Sequence, residues 1–146
     1  MGYPPLLGLL NVEAFRKHFE SLYCQQPIVT FDGISVRFRK EDFDHCCFES
    51  SQRNGIKDCF SLPRAERLGW IREALQDPRS DRYIGWDSSK KRYDPHRRVT
   101  VVMGDYVVVI AITGYESARF VTAFVADSPE TITKIKTAPR WAIKNR

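Results

Sequence analysis

Seven consecutive residues, Tyr106-Val107-Val108-Val109-Ile110-Ala111-Ile112, carry no charge and are apolar at every position. Successive side chains of a strand point to opposite faces, so a strand with one wet face alternates polar and apolar residues. A run that is apolar on both faces and rich in β-branched residues belongs in the middle of a sheet. It falls far short of the ~20 residues needed to cross a bilayer. Its neighbours follow from turn chemistry. Val99–Met103 precedes it through Gly104-Asp105, a good two-residue hairpin turn, and Arg119–Ala126 returns after the turn at Gly114–Ser117. The second half of the chain therefore reads as an antiparallel meander, with Arg82–Trp86 as a further strand ahead of it.

The first half reads mainly as helix. Asn11 is a suitable N-cap, followed by Val12, Phe15, Phe19 and Leu22 at helical spacing. Pro27 ends that region, and residues 28–38 read as a tight hairpin turning at Asp32-Gly33. A short helix is expected over Lys40–Glu49, then a loop at Arg53-Asn54-Gly55. A longer helix, capped by Ser61 with Pro63 in its first turn, buries Ala65, Leu68, Ile71 and Leu75 and stops at Asp77-Pro78. Ser128-Pro129-Glu130 starts a terminal helix carrying Lys134 and Lys136. Helices first and a meander afterwards give an α+β fold: N-terminal helices on one face of an antiparallel sheet of about four strands. The 146 residues fit one domain, with an N-terminal helical segment (1–26), a core (27–127) and a basic C-terminal tail (128–146).

The net charge of +5 is unevenly placed. Residues 1–63 hold seven Lys/Arg against eight Asp/Glu, whereas residues 64–146 hold sixteen against ten. A polyanionic partner is therefore expected on the second part, with a merely solvated basic surface as the competing reading. Leu6, Leu7, Leu9 and Leu10 form too short an apolar stretch, without a basic lead, for a signal peptide, and a soluble cytoplasmic protein with no membrane partner is expected. Cys24, Cys46, Cys47 and Cys59 show no CxxC spacing and read as reduced thiols. No metal is expected, because His45, Cys46 and Cys47 are consecutive and a helix cannot aim all three at one ion. No Gly-rich phosphate loop or GxSxG motif is present, and no cofactor is expected.

Two features carry chemistry. His45 lies two positions from both Phe43 and Cys47, which share a helical face, so it points away from the core. Imidazole exchanges protons near neutral pH, and the alternative is a plain surface histidine among Glu41, Asp42 and Glu49. The second feature interleaves Lys90, Lys91, Arg92, His96, Arg97 and Arg98 with Tyr83, Trp86 and Tyr93. Cations neutralise phosphates and aromatic rings stack on unpaired bases, although the same rings could simply anchor a solvated loop. By simple alternation Thr122 shares a strand face with Phe120 and Phe124, with Arg119 opposite. Lys57, Arg64 and Arg67 stand around the start of the long helix, within reach of a phosphate.

The order of Val36–His45, the Arg-rich helix Pro63–Ile71, Tyr106–Ile110 and Ala118–Phe124 resembles the phage-associated branch of the barnase/EndoU/colicin/RelE-like nucleases. These are small, mostly metal-independent ribonucleases, frequently toxins. The resemblance covers roughly Val36–Ala126 by layout. It implies a histidine, basic residues and a late-strand hydroxyl at the site: His45, Lys57 or Arg64 with Arg98, and Thr122. It implies cleavage by the RNA 2′-hydroxyl and, for a toxin, a cognate acidic inhibitor or antitoxin. Two other readings stay open: a nucleic-acid-binding module without catalysis, and an interaction or accessory protein with an acidic partner.

Overall fold

A computed structural model describes residues 4–49, 59–87, 92–93, 98–126 and 128–140; for residues 86–87 and 92–93 it describes backbone alone. Asn11 caps α1 (Val12–Phe19), its side-chain oxygen accepting from the Ala14 amide at 2.8 Å. A π-helical turn, Glu20–Cys24, extends it and buries Tyr23. There follow β1 (Ile28–Val29), β2 (Ser35–Arg37), α2 (Asp42–Cys47), β3 (Phe48–Glu49), β4 (Cys59–Phe60), α3 (Leu62–Ala65) and α4 (Leu68–Gln76). The second half supplies β5 (Asp81–Ile84), β6 (Trp86–Asp87), β7 (Arg92–Tyr93), β8 (Arg98–Met103), β9 (Tyr106–Gly114), β10 (Ser117–Val125) and α5 (Pro129–Lys136).

The fold is α+β, but the main sheet has six strands rather than four, in the order β1-β2-β10-β9-β8-β5. β5 closes one edge by pairing antiparallel with β8. At the other edge the 28–38 hairpin does not stand apart. β2 lies against β10 in parallel over Ser117–Arg119, and this is the one parallel pair among the described strands. The 106–112 run is central as its composition requires, flanked by β8 and β10. Gly104 makes the β8–β9 turn with φ of 65°, a left-handed conformation that glycine adopts without steric cost.

One face of the sheet carries the main core. Val36, Val99, Val101, Tyr106, Val108, Ile110, Ala118, Phe120 and Ala123 pack there against Phe15, Phe19, Phe43, Leu68, Ile71 and Leu75 of the helices. Burying such a side chain contributes about 1.5–3 kcal/mol relative to exposure. The long helix expected after Ser61 is broken in two. Arg67 leaves the helical region (φ −104°, ψ 17°), and its guanidinium donates to the Pro63 carbonyl at 2.6 Å. The helices are not confined to one face, either. Ile132 and Ile135 of α5, with Ala138 after it, pack on Tyr83 and Val102 of the second face. Pro139 accepts from the Ile84 amide at 2.8 Å, and Arg140 pairs with Asp81 at 2.9 Å. This part of the expected basic tail is thus docked. The four cysteines are free thiols, Cys46 and Cys47 buried. No helix among the described residues is long and apolar enough to cross a membrane.

Candidate nucleic-acid interface

The second face is built in rows by the strand register. Arg37 of β2 pairs with Arg119 of β10, Arg119 with Ala111 of β9, and Ala111 with Arg98 of β8. Directly paired residues share a face, so three arginines form one line across four strands. At about 4.8 Å per strand the line is roughly 14 Å long. Arg37 and Arg119 are exposed and Arg98 is half-buried. Most arginines with described side chains hold a carboxylate: Arg16, Arg39, Arg64, Arg67, Arg79, Arg82 and Arg140 each form an ion pair. Among the described side chains, Arg37, Arg72, Arg98 and Arg119 have no such partner, and three of these four stand in the row.

The next row holds Thr122, Val109, Thr100 and Tyr83, and the one beyond it Phe124, Val107, Val102 and Asp81. Placing Thr122 and Phe124 here corrects the expectation from alternation. A β-bulge between Phe120 and Thr122 leaves Val121 as an extra residue, so the strand changes phase. Thr122 and Phe124 therefore share the face of Arg119, while Phe120 points into the core.

β2 covers the edge of β10 only as far as Arg119, and α2 packs beside the remainder. Here three residues expected at a site come together. The Thr122 hydroxyl donates to the His45 carbonyl at 2.9 Å, fixing the last turn of α2 to the strand. His45 itself is exposed, while its neighbours Phe43, Cys46 and Cys47 are buried. The Arg64 guanidinium stands 5.8 Å from the centre of the Phe124 ring, and its Nε lies 3.5 Å from Glu49. Ser61 joins the two helices, its amide donating to the Cys47 carbonyl at 2.7 Å and its hydroxyl capping α3 at the Arg64 amide. Cys46 offers no thiolate nucleophile to this rim: burial first, then the hydrogen bond and the proximity of Cys47, push its thiol well above the ordinary range.

The remaining expected residues divide by position. Arg98 opens β8 and stands in the arginine row, whereas Tyr83 is buried under the residues after α5, with Arg140 over its ring at 5.4 Å. Tyr83 therefore acts as an anchor rather than a stacking platform. Trp86, Arg92 and Tyr93 fall in the β6–β7 pair, where Trp86 is opposite Tyr93 and Asp87 opposite Arg92. Lys57, Lys90, Lys91, His96 and Arg97 lie outside the described residues. Arg37, Arg119, Glu49 and Phe124 were missed. Each arginine is a single charge beside inward apolar residues, a signal that marks an outer face, but their alignment depends on pairing between distant segments. Comparisons with known protein families, curated proteins and solved structures find no match.

Proposed function

We propose that the second face of the sheet binds single-stranded RNA and that its α2/α3 rim cleaves the strand, as a metal-independent ribonuclease similar in layout to the barnase/EndoU/colicin/RelE-like group. The observation that carries this reading is the row Arg37, Arg119 and Arg98, three aligned cations without carboxylate partners among the described residues. Unpaired arginines facing solvent in a line suit a chain of phosphates. Phe124 and Val109 lie alongside for the bases.

The chemistry asks little of the protein, because RNA brings its own nucleophile. A base takes the proton of the 2′-hydroxyl as its oxygen attacks the adjacent phosphorus. An acid gives a proton to the departing 5′-oxygen, leaving a 2′,3′-cyclic phosphate. His45 is the proton-transfer residue, and arginines offset the charge developing on the phosphate. Thr122 acts as a positioning residue, since its proton is committed to the His45 carbonyl. A cognate acidic protein docking on the arginine row would silence such an enzyme.

A second reading is a binding module without catalysis. One observation favours it: Arg64, the expected site arginine at this rim, is already paired with Glu49. Cleavage of an end-labelled RNA by the wild type, His45→Ala and His96→Ala, each with and without EDTA, decides between them. Loss of a general acid–base costs ~10²–10⁴-fold in rate. The ribonuclease reading expects that loss in His45→Ala with RNA affinity kept and EDTA without effect. Full activity in His45→Ala moves the role to His96 or ends it, and an intact RNA in every lane leaves the binding module.

A further inference from the structure

Between α5 and the sheet lies a cavity of about 490 Å³. Thr100, Val107, Val109 and Phe124 form its floor, and Lys134 and Ile135 stand on the helical side. Its size falls in the ~300–1,000 Å³ range of small-molecule sites, and among the described residues its lining is apolar apart from Thr100 and Lys134. We propose that this cavity receives a single unstacked nucleobase from an RNA strand whose phosphates lie on the Arg37–Arg119–Arg98 row. The proposal rests on the RNA reading of that row.

Three observations carry it. The first is continuity. Val109 and Thr100 are two residues from Ala111 and Arg98 along their strands and on the same face, one row away. One row is about 7 Å, a reach of the same order as that from a backbone phosphate across its ribose to the base. The second is the hydroxyl. Thr100 is 8% exposed, and its side chain has no hydrogen-bond partner among the described residues. The Thr100 oxygen is not a fully buried unsatisfied atom, so it keeps access to water and can exchange that water for a ligand's donor or acceptor. Gly85 helps keep it uncovered. A Cβ there would stand 3.3 Å from the Thr100 oxygen and only 2.8 Å from the Arg98 Cβ, so a side chain at this position would crowd both the cavity and the row. The third is the charge and ring at the wall. Phe124 presents an aromatic surface and Lys134 a cation, the pair that holds a base and its phosphate. A wall with one hydroxyl selects for a flat apolar ring far more than for one base over another.

The test uses the full chain, uridine and adenosine 5′-monophosphates, and a fluorescent single-stranded oligonucleotide with or without one abasic position. Either monophosphate should shift the amide NMR resonances of Thr100, Val107 and Val109 in a saturable way. Scanning the abasic position along the oligonucleotide should find one place where affinity falls about tenfold or more. Val109→Phe, which fills the cavity, should lower affinity for the intact strand by a similar factor and erase the abasic effect. The slope of affinity against salt should stay unchanged. Ile135→Ala, which leaves the cavity open, should keep the abasic effect. An oligonucleotide that binds through Arg119 but is indifferent to every abasic position and to Val109→Phe overturns the base pocket alone. Failure of the oligonucleotide to bind, or binding indifferent to Arg119→Gln, overturns the RNA reading on which the pocket depends.

Discussion

Neutralising the arginine row should change how RNA affinity responds to salt, by an amount the register determines. Each phosphate of a single strand that is neutralised contributes about 0.7 to the slope of log affinity against log salt. Arg37, Arg119 and Arg98 together therefore contribute about 2.1, equivalent to roughly a 20-fold fall in affinity between 50 and 200 mM salt. Removing one arginine should lower the slope by about 0.7, and the triple Gln variant should remove the whole contribution. Fluorescence anisotropy of a labelled oligouridylate at several salt concentrations reads this directly. Arg72→Gln is the control. It removes one exposed arginine without a carboxylate partner, as Arg119→Gln does, but from α4 on the opposite side of the sheet. If both variants lower the slope equally, net charge governs binding and the row has no special place. If neither variant changes it, no phosphate lies on these arginines and the argument from register fails.

Tyr23 is buried, donating to the Leu68 carbonyl and accepting from the Arg72 amide at 3.2 Å, so Tyr23→Phe should cost about 1–2 kcal/mol in denaturant unfolding at neutral pH. Burial raises its phenol above the ordinary value of about 10, so the wild type's advantage should be complete below pH ~10 and shrink as pH rises above it; an advantage that grows with pH would contradict this environment. Deleting Val121, the extra residue of the bulge, should leave a regular ladder with Thr122 still beside Val109 and the domain folded, whereas deleting Val108 from β9 should turn half of that strand over and abolish cooperative unfolding.

The fold was legible where local chemistry decides it. The both-faced apolar run gave the central strand, Gly104 the hairpin, and Asn11, Ser61 and Ser128 the helix starts, each confirmed by a side-chain cap. His45 was legible too, because its exposure follows from helical spacing against Phe43 and Cys47. What escaped was decided between segments. The parallel pairing of β2 with β10 joins residues some eighty positions apart, and without it Arg37 has no relation to Arg119. At the break the Arg67 guanidinium, not its amide, donates to the Pro63 carbonyl, while the amide donates to the Arg64 carbonyl, an arrangement that the helix propensity of the intervening residues does not reveal.

The bulge is the point at which fold and site depend on one another. Strict alternation over Arg119–Phe124 would put Thr122 and Phe124 in the core with Phe120, and Ala123 outside. Without the bulge Thr122 would stand opposite Val108 and Phe124 opposite Tyr106, two positions that hold the smaller Ala123 and Val125 in the packed core face, where a larger side chain would have to displace its neighbours. One unpaired residue, Val121, resolves the conflict by shifting the phase of the strand. The same shift brings the Thr122 hydroxyl out to the His45 carbonyl and the Phe124 ring out beside Arg64 and the α5 cavity. Core packing on one face thus fixes which side chains the other face can offer to a ligand. A sequence pattern read at period two cannot register that coupling, because the residue responsible is an inconspicuous valine in a run of good strand formers.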